Sequence, residues 1–326
     1  MPKVSVIIPA YNQAQFIAEA IQSVLNQTFQ DFEVIVIDDG STDNTPEITS
    51  AFPVKYFRQE NRKLPAARNR GIELSSGELI VFLDSDDILL KNTLEKGVEV
   101  LDTCPEAGFS YGQAYLMDEK GQILGLRKAG SKRSCLRQGI DEIGDFLVSG
   151  NHILPCTVMT RRDCLERVGP FDPDFNSGSE DVDLWVRLAM RHAVAYIAEP
   201  LAKYRIHSSS ISHSRQVTEI ERSNSRILEG VFSDTELGPI FAPRRVYFYS
   251  RLYFRLASYA YASGDMKTAR SYLFRTMRIY PKGFLKSLWL PWILCFGKTW
   301  IPSPVLSLAH RIKRRTAMIA SWRGAN

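Results

Sequence analysis

Three short apolar runs, with helical patterns between them, dominate the first 83 residues of the chain. The runs are Val4–Ile8, Phe32–Ile37 and Leu79–Leu83. Each has the length and apolar content of a strand that is covered on both faces of a sheet. The stretches Phe16–Leu25 and Ala66–Leu74 place apolar residues at helical spacing. This alternation, with short connections, predicts an α/β fold with a mainly parallel sheet flanked by helices.

Two of the predicted strands run directly into acidic residues. Asp38 and Asp39 follow the second run, and Asp84–Asp87 follows the third. Ligands of parallel sheets bind at the carboxyl ends of the strands, so both clusters are candidate site residues. Three carboxylates within four residues repel one another, and a cation such as Mg²⁺ or Mn²⁺ would offset that repulsion. The alternative is structural, because Asp residues also favour tight turns and helix N-termini.

A third acidic cluster starts a helical pattern near residue 180. On a helix, Asp181 and Trp185 share one face, whereas Asp183 points elsewhere. A carboxylate beside an acceptor hydroxyl could take its proton, and an indole could stack on a sugar ring. The alternative is an acidic first turn that complements the helix dipole, with Trp185 buried in the core.

Two further polar residues are candidates whose roles the residue types leave open. His207 could be a metal ligand or a phosphate contact, although a lone histidine is also commonly structural. Arg68 could reach a diphosphate through its guanidinium fork. Arg68 could equally lie on a solvated helix face.

Taken together and in order, five stretches of the chain resemble the family-2 glycosyltransferases, which have a GT-A fold. The stretches are Val4–Asn12, Val36–Asp43, Ala66–Gly71, Phe82–Asp87 and Ser179–Trp185. The resemblance reaches from residue 4 to residue 207 and does not extend to the C-terminal helices. It implies an enzyme that passes a sugar, with inversion, from a nucleoside diphosphate to a hydroxyl acceptor.

The resemblance also implies a donor site and a metal site. The residues that would bind the nucleotide and donor are Pro9, Ala10, Tyr11, Asn12, Asp39, Arg68, Asp84, Ser85 and Asp86. Asp84 and Asp86 match the family's DxD motif. Asp86 would bind Mn²⁺ or Mg²⁺, Asp84 would face the ribose or the waters of the metal, and His207 would be a further metal ligand.

On the acceptor side, the resemblance implies that Asp181 is the general base and that Glu180 is its neighbour. Trp185 and Asp183 would then face the acceptor or the sugar. One displacement by the acceptor hydroxyl inverts the anomeric centre, so no second carboxylate is needed as a covalent nucleophile.

The C-terminal third differs in composition from the rest of the chain. The sequence predicts a catalytic domain over 1–215, and then a helical hairpin over 216–281 that resembles a single tetratricopeptide-like unit. The segment 282–326 contains eight Lys or Arg, several Trp, and no Asp or Glu. That composition predicts peripheral attachment to an anionic membrane surface. The alternative is a subdomain that packs against the catalytic domain.

The remaining features bear on compartment and partners. The five cysteines have no CxxC spacing, and no apolar run reaches a membrane span, so we expect a cytoplasmic protein, peripheral on the inner face of the membrane. We expect a UDP-sugar as donor, a surface polysaccharide, lipopolysaccharide or lipid-linked glycan as acceptor, and no nucleic acid as partner. The alternatives are a nucleotidyltransferase and a non-catalytic nucleotide-sugar-binding module.

Overall fold

The computed structural model describes residues 1–129, 134–175, 179–207 and 216–281. The chain divides into two compact units, of which the first is Met1–Val231 and the second begins at Phe232. The first unit contains a ten-stranded sheet with helices around it, which confirms the predicted α/β class.

All ten strands belong to one sheet. They are β1 (Val4–Ala10), β2 (Phe32–Asp38), β3 (Lys55–Arg58), β4 (Leu79–Phe82), β5 (Ile88–Leu89), β6 (Ala107–Met117), β7 (Ile123–Arg127), β8 (Cys135–Arg137), β9 (Met159–Arg161) and β10 (Ala193–Arg205). The strand order is β3-β2-β1-β4-β9-β6-β10-β5, with β7 paired to β6 and β8 paired to β10. β1 to β4 are mutually parallel, as are β6 and β10, and β9 runs antiparallel between the two groups.

The described residues form eleven α-helices, and the helices predicted over Phe16–Leu25 and Ala66–Leu74 are among them. The eleven are α1 (Ile17–Leu25), α2 (Thr45–Ser50), α3 (Lys63–Leu74), α4 (Thr93–Thr103), α5 (Gly139–Ser149), α6 (Arg162–Val168), α7 (Glu180–Ala189), α8 (Val217–Ser233), α9 (Gly238–Phe241), α10 (Arg245–Ala262) and α11 (Met266–Ile279). Short 3₁₀ turns occur at Pro155–Thr157 and Ala242–Arg244. Among the described residues, every helix is too short or too polar to cross a bilayer.

The centre of the sheet is buried because helices cover both of its faces. Every residue of β1 is buried, as are the four residues of β4. On α1, the buried residues Ile17, Ala20, Ile21 and Val24 follow helical spacing and join the same core. The continuous apolar runs of the sequence therefore correspond to strands that are covered on both sides.

Gly71 lets α3 lie unusually close to the sheet. A Cβ atom at this position would be 2.2 Å from Cγ2 of Ile7 on β1. Since real side chains do not tolerate such an approach, only glycine allows this packing distance. The close contact brings the face of α3 that carries Arg68 against the sheet.

Two details differ from the sequence-based expectations. The sequence of Cys156–Thr160 also predicts a strand, but the structure has a 3₁₀ turn that begins at Pro155, followed by the antiparallel strand β9. Proline has a fixed φ and no N–H to donate to a neighbouring strand, which explains the later start. The first compact unit also extends past the predicted boundary at 215, because Arg226 on α8 pairs with Asp172 and covers the ring of Phe175.

The second unit contains the predicted helical hairpin. Gly264 adopts φ 84° between α10 and α11, and the Asp265 side chain caps α11 by accepting a hydrogen bond from the Thr268 N–H at 3.0 Å. Arg275 on α11 lies 4.0 Å over the ring of Tyr253 on α10. The basic, Trp-containing segment 282–326 lies outside the described residues.

Candidate active site

The site forms where the parallel strands end. β2 and β4 flank β1, and neighbouring strands lie about 4.8 Å apart, so the ends of β2 and β4 are about 10 Å apart. The first acidic cluster follows β2, and the second follows β4. The end of β1, the segment after it, α3, the end of β10 and the first turn of α7 contribute the remaining candidate residues.

The segment after β1 is joined to the segment after β2 by hydrogen bonds. Pro9 and Ala10 are buried, whereas Tyr11 is exposed. Asn12 adopts the left-handed conformation, with φ 53°, which asparagine tolerates better than most residues. Its N–H donates to Ser41 Oγ at 2.9 Å, and its side-chain oxygen accepts from the Thr42 N–H at 2.8 Å.

The two aspartates after β2 have different environments. Asp38 is fully buried and accepts hydrogen bonds from Tyr56 and from the Ser41 N–H, so it takes the structural turn role. Burial and the hydrogen bond to Asp38 raise the pKa of Tyr56. Asp39 Oδ1 accepts from Gln59 Nε2 at 2.7 Å and from the Arg62 N–H at 2.9 Å.

The aspartates after β4 have three separate partners, and Ser85 between them is buried. Asp84 Oδ1 accepts from Arg68 Nη2 at 2.7 Å, Asp86 Oδ2 lies 2.8 Å from His207 Nε2, and Asp87 Oδ1 accepts from the Arg205 N–H. Burial raises the pKa of Asp87 well above its usual range, and the carboxylates of Asp86 and Asp84 add to the effect. Burial also raises the pKa of Asp84, although Arg68 opposes it. The three carboxyl groups of this short loop thus each have a separate partner.

Arg205 holds the loop after β4 in place, a role that the sequence analysis did not predict. Its Nε donates to the Asp86 carbonyl at 2.8 Å, and its Nη2 donates to Glu19 on α1 at 2.6 Å. Its guanidinium also lies 4.6 Å over the ring of Phe16. The only sequence signal was its position two residues before His207.

His207 and Asp86, which the family resemblance implies as metal ligands, lie in contact with each other. The imidazole of His207 is buried and packs against the Phe16 ring, with 5.1 Å between ring centroids. Part of the Asp86 carboxylate stays accessible, with 20% of the side chain exposed. The pair therefore combines one nitrogen and one oxygen donor at the mouth of the sheet.

Arg68 connects the carboxylates of the loop after β4 and of the first turn of α7. It donates to Asp84 at 2.7 Å and to Glu180 at 2.8 Å, and it is 1% exposed. Although burial lowers the pKa of Arg68, the attraction of these carboxylates outweighs it and raises the pKa. The alternative of a solvated helix face is therefore wrong. Contact with a diphosphate stays a prediction.

The first turn of α7 holds the predicted catalytic residues. Glu180 is buried against Arg68, and Asp181 is 6% exposed. Asp181 Oδ2 accepts a hydrogen bond from Asn151 Nδ2 at 2.9 Å. Because Arg68 contacts both Asp84 and Glu180, this turn lies beside the loop after β4.

The two residues expected to face the acceptor have other contacts. Trp185 is fully buried and packs on Phe109 of β6, with 5.7 Å between ring centroids, so its expected stacking on a sugar is wrong. Its face of α7 is turned toward the sheet. Asp183 forms an ion pair with Arg187 one turn later, at 2.7 Å. Burial raises the pKa of Asp183, and Arg187 opposes that shift.

The donor set for a metal ion is small. Within the described ranges, no three His, Cys, Asp or Glu side chains are grouped so that they could hold a cation by themselves. Asp86 and His207 lie together, while Asp84 faces Arg68. Two protein donors suit a Mg²⁺-like ion that takes its other ligands from phosphates and water.

Comparison with known protein sequences gives a consistent pattern. A model described as Glycosyl transferase family 2 matches residues 5–166. Glycosyltransferase GlyG of Streptococcus pneumoniae is 30% identical over 245 residues, which cover 71% of this chain and 78% of GlyG. An uncharacterized glycosyltransferase of Rickettsia typhi is 32% identical, over 68% of this chain and 70% of the relative. Relatives from Rickettsia conorii and Rickettsia felis are 34% identical, and the chain spans only about a third of their length.

The fold is also similar to solved structures of TarS residues 1–349 from S. aureus. One structure has a TM-score of 0.53 at 18% identity and covers 83% of this chain and 90% of TarS 1–349. Structures of the same TarS fragment in complex with UDP and with UDP-GlcNAc have TM-scores of 0.52 and 0.54. At this level of identity, the similarity concerns the fold alone.

Proposed function

Because the chain belongs to glycosyl transferase family 2, we propose that it transfers a sugar, with inversion, from a nucleoside diphosphate to an acceptor hydroxyl. The observation that carries this proposal is the contact of Arg68 with both Asp84 and Glu180. This contact joins the loop that would bind the donor to the helical turn that would bind the acceptor.

The donor would lie across the ends of β1, β2 and β4. Asp39 could accept the imide N–H of a uracil, and the exposed ring of Tyr11 is available to contact the base. Pro9, Ala10 and Asn12 would form the wall of that pocket. The UDP and UDP-GlcNAc complexes of the structurally similar TarS support a UDP-sugar as donor.

The residues present fit a divalent cation at the diphosphate. Asp86 and His207 would hold it, with Asp84 beside it, and phosphate oxygens and water would complete its ligands. When bound, Mg²⁺ or Mn²⁺ would offset the charge that develops on the leaving diphosphate. Arg205 holds this loop in place through the Asp86 carbonyl.

Asp181 would act as the general base. The acceptor oxygen forms a bond to the anomeric carbon, the bond to the diphosphate oxygen breaks, and the acceptor proton passes to Asp181. Arg68 pairs with the neighbouring Glu180 and Arg187 pairs with Asp183, which leaves Asp181 as the candidate base of this turn. A single displacement of this kind inverts the anomeric centre.

For the acceptor, we propose a surface polysaccharide, lipopolysaccharide or lipid-linked glycan. A lipid-linked acceptor would agree with the proposed attachment of the basic segment 282–326 to the inner face of an anionic membrane.

The decisive experiment is a panel of UDP-, GDP- and dTDP-sugars with Mn²⁺ or Mg²⁺, in which release of nucleoside diphosphate is measured. We expect release from a UDP-sugar. Asp86→Ala and Asp181→Asn should abolish it, and Asp181→Asn should still bind the donor because the base acts on the acceptor. Asp163→Asn, which changes a largely exposed carboxylate on α6, is the matched control and should keep full activity.

Two outcomes would contradict the proposal. If added pyrophosphate converts the nucleotide sugar to a nucleoside triphosphate and a sugar 1-phosphate, without release of nucleoside diphosphate, the chain is a nucleotidyltransferase instead. Donor binding without any release from the whole panel would indicate a non-catalytic nucleotide-sugar-binding module.

A further inference from the structure

The loop after α5 reaches the proposed base from a different part of the chain. The N–H of Gly150 donates to the Phe146 carbonyl at 2.9 Å and closes α5. Gly150 has φ 81° and ψ −164°, a conformation that essentially only glycine adopts. The chain therefore turns sharply just before Asn151 and carries this residue toward the first turn of α7.

The side-chain amide of Asn151 has a defined orientation. Its oxygen accepts from the Ile153 N–H at 3.1 Å, and its Nδ2 donates to Asp181 Oδ2 at 2.9 Å. One partner can only donate and the carboxylate accepts, so the positions of the amide oxygen and nitrogen follow from the chemistry of the partners. The Asn151 carbonyl also accepts from Arg127 Nη2 at 2.9 Å.

The residue after Asn151 is anchored as firmly. The His152 ring nitrogens lie at hydrogen-bond distance from Glu142 and from the Gly150 carbonyl. Glu142 is fully buried and also accepts from the Tyr111 hydroxyl, while Arg137 lies 3.2 Å away. His152 is therefore anchored by a buried network of hydrogen bonds and ion pairs. This network fixes the backbone next to Asn151.

We propose that Asn151 is a positioning residue for Asp181. Its amide holds Oδ2 of the carboxylate, while Oδ1 accepts from the Val182 N–H at 2.8 Å. Each carboxylate oxygen can accept a second hydrogen bond, which is the one that the acceptor hydroxyl would use. The proposal rests on the proposed function, because it assigns Asn151 a role in presenting the base.

The two simplest substitutions at Asn151 separate positioning from loop support. Asn151→Ala removes the donor, and we expect kcat to fall about 10- to 100-fold, as for other misplaced catalytic groups. The donor KM should stay unchanged, because the donor side of the site is untouched. Asn151→Asp keeps the shape and the acceptor for the Ile153 N–H but places a second carboxylate against Asp181. We expect it to be less active than Asn151→Ala.

The test measures UDP release from UDP-GlcNAc with Mn²⁺, together with the thermal unfolding midpoint of each variant. Asn26→Ala, which removes an exposed asparagine on the loop after α1, is the control and should match the wild type. If Asn151 only shaped the loop, the isosteric Asn151→Asp would be the better tolerated change. That order of activities, or a kcat within twofold of the wild type for Asn151→Ala and Asn151→Asp, would overturn the proposal.

A crystal structure of Asn151→Ala decides the matter independently of activity. We expect the Asp181 carboxylate to leave its wild-type orientation or to occupy more than one. A single, unchanged orientation would overturn the positioning role. An inactive wild type would count against the proposed function instead, so the two failures are distinguishable.

Discussion

A single guanidinium, that of Arg68, faces the carboxylates of Asp84 and Glu180, which lie 96 residues apart in sequence. Its burial would be costly for an unpaired charge, and the contacts with Asp84 and Glu180 offset that cost. The same contacts keep two of the acidic side chains of the site in place without a cation. Arg68 therefore has a structural role whether or not it touches a diphosphate.

Replacing Arg68 should destabilise the fold strongly. We expect Arg68→Met to lower the free energy of unfolding by about 3–5 kcal/mol, because it leaves Asp84 and Glu180 without their counter-charge. Urea unfolding measures this change. Arg70→Met is the matched control on the same helix: its ion pair with Glu73 is half-exposed, and such pairs contribute about 0–1 kcal/mol. Equal losses for the two variants would contradict the structural role of Arg68.

The sequence was informative where a residue's role depends on strand order and uninformative where it depends on packing. The position of Asp84 and Asp86 after a buried strand was enough to predict their location at the edge of the sheet. Whether Trp185 is buried or exposed depends on which side of α7 faces β6, and helical spacing alone does not determine that orientation. Asn151 lies in a loop without periodicity, so its contact with Asp181 could be found only from the fold.

Among the elements, α3 controls the approach of Arg68 to the site. Its close packing on β1 depends on the missing side chain of Gly71, three residues after Arg68. A helix that is pushed away from the sheet at this point would also withdraw the guanidinium from its partners. The cost of such overpacking should thus appear in both stability and activity.

Gly71→Ala tests this dependence. We expect a loss of about 1–3 kcal/mol in the free energy of unfolding, because the new methyl group would collide with Ile7. Nucleoside diphosphate release should fall with it. The matched control is Gly144→Ala in α5, where the added Cβ has no atom within 4 Å and should stabilise by about 0.5–1 kcal/mol. An unchanged free energy of unfolding for Gly71→Ala would contradict the close packing of α3 against Ile7.

At the scale of the whole molecule, we propose that one sheet serves both substrates. β1 to β4 and their loops would form the donor side, together with His207 after β10, and the first turn of α7 would form the acceptor side, with the antiparallel β9 between β4 and β6. The sequence predicted β1, β2 and β4, since these strands are continuous apolar runs, but it did not predict the short and largely exposed β3. It did not predict the reversed direction of β9, because a three-residue strand carries no pattern of its own.

The basic C-terminal segment gives a prediction about the entire chain. Full-length protein should float with liposomes that contain anionic lipid, because clustered Lys and Arg bind such surfaces and Trp inserts at headgroup depth. A version that ends at Pro281 should stay at the bottom of the gradient. Zwitterionic liposomes are the control and should carry up less of either protein. Full-length protein that sediments like the shortened version would contradict membrane attachment.

The position of β10 in the sheet has a consequence for folding during translation. This strand pairs with β5, β6 and β8, and its end carries Arg205 and His207. A polypeptide still emerging from the ribosome, and extended only to residue 192, already has the strands that would bind the nucleotide. It lacks the histidine beside Asp86 and the arginine that fixes the Asp86 loop. Competence for chemistry should thus arrive late in translation, after the donor half has had time to fold.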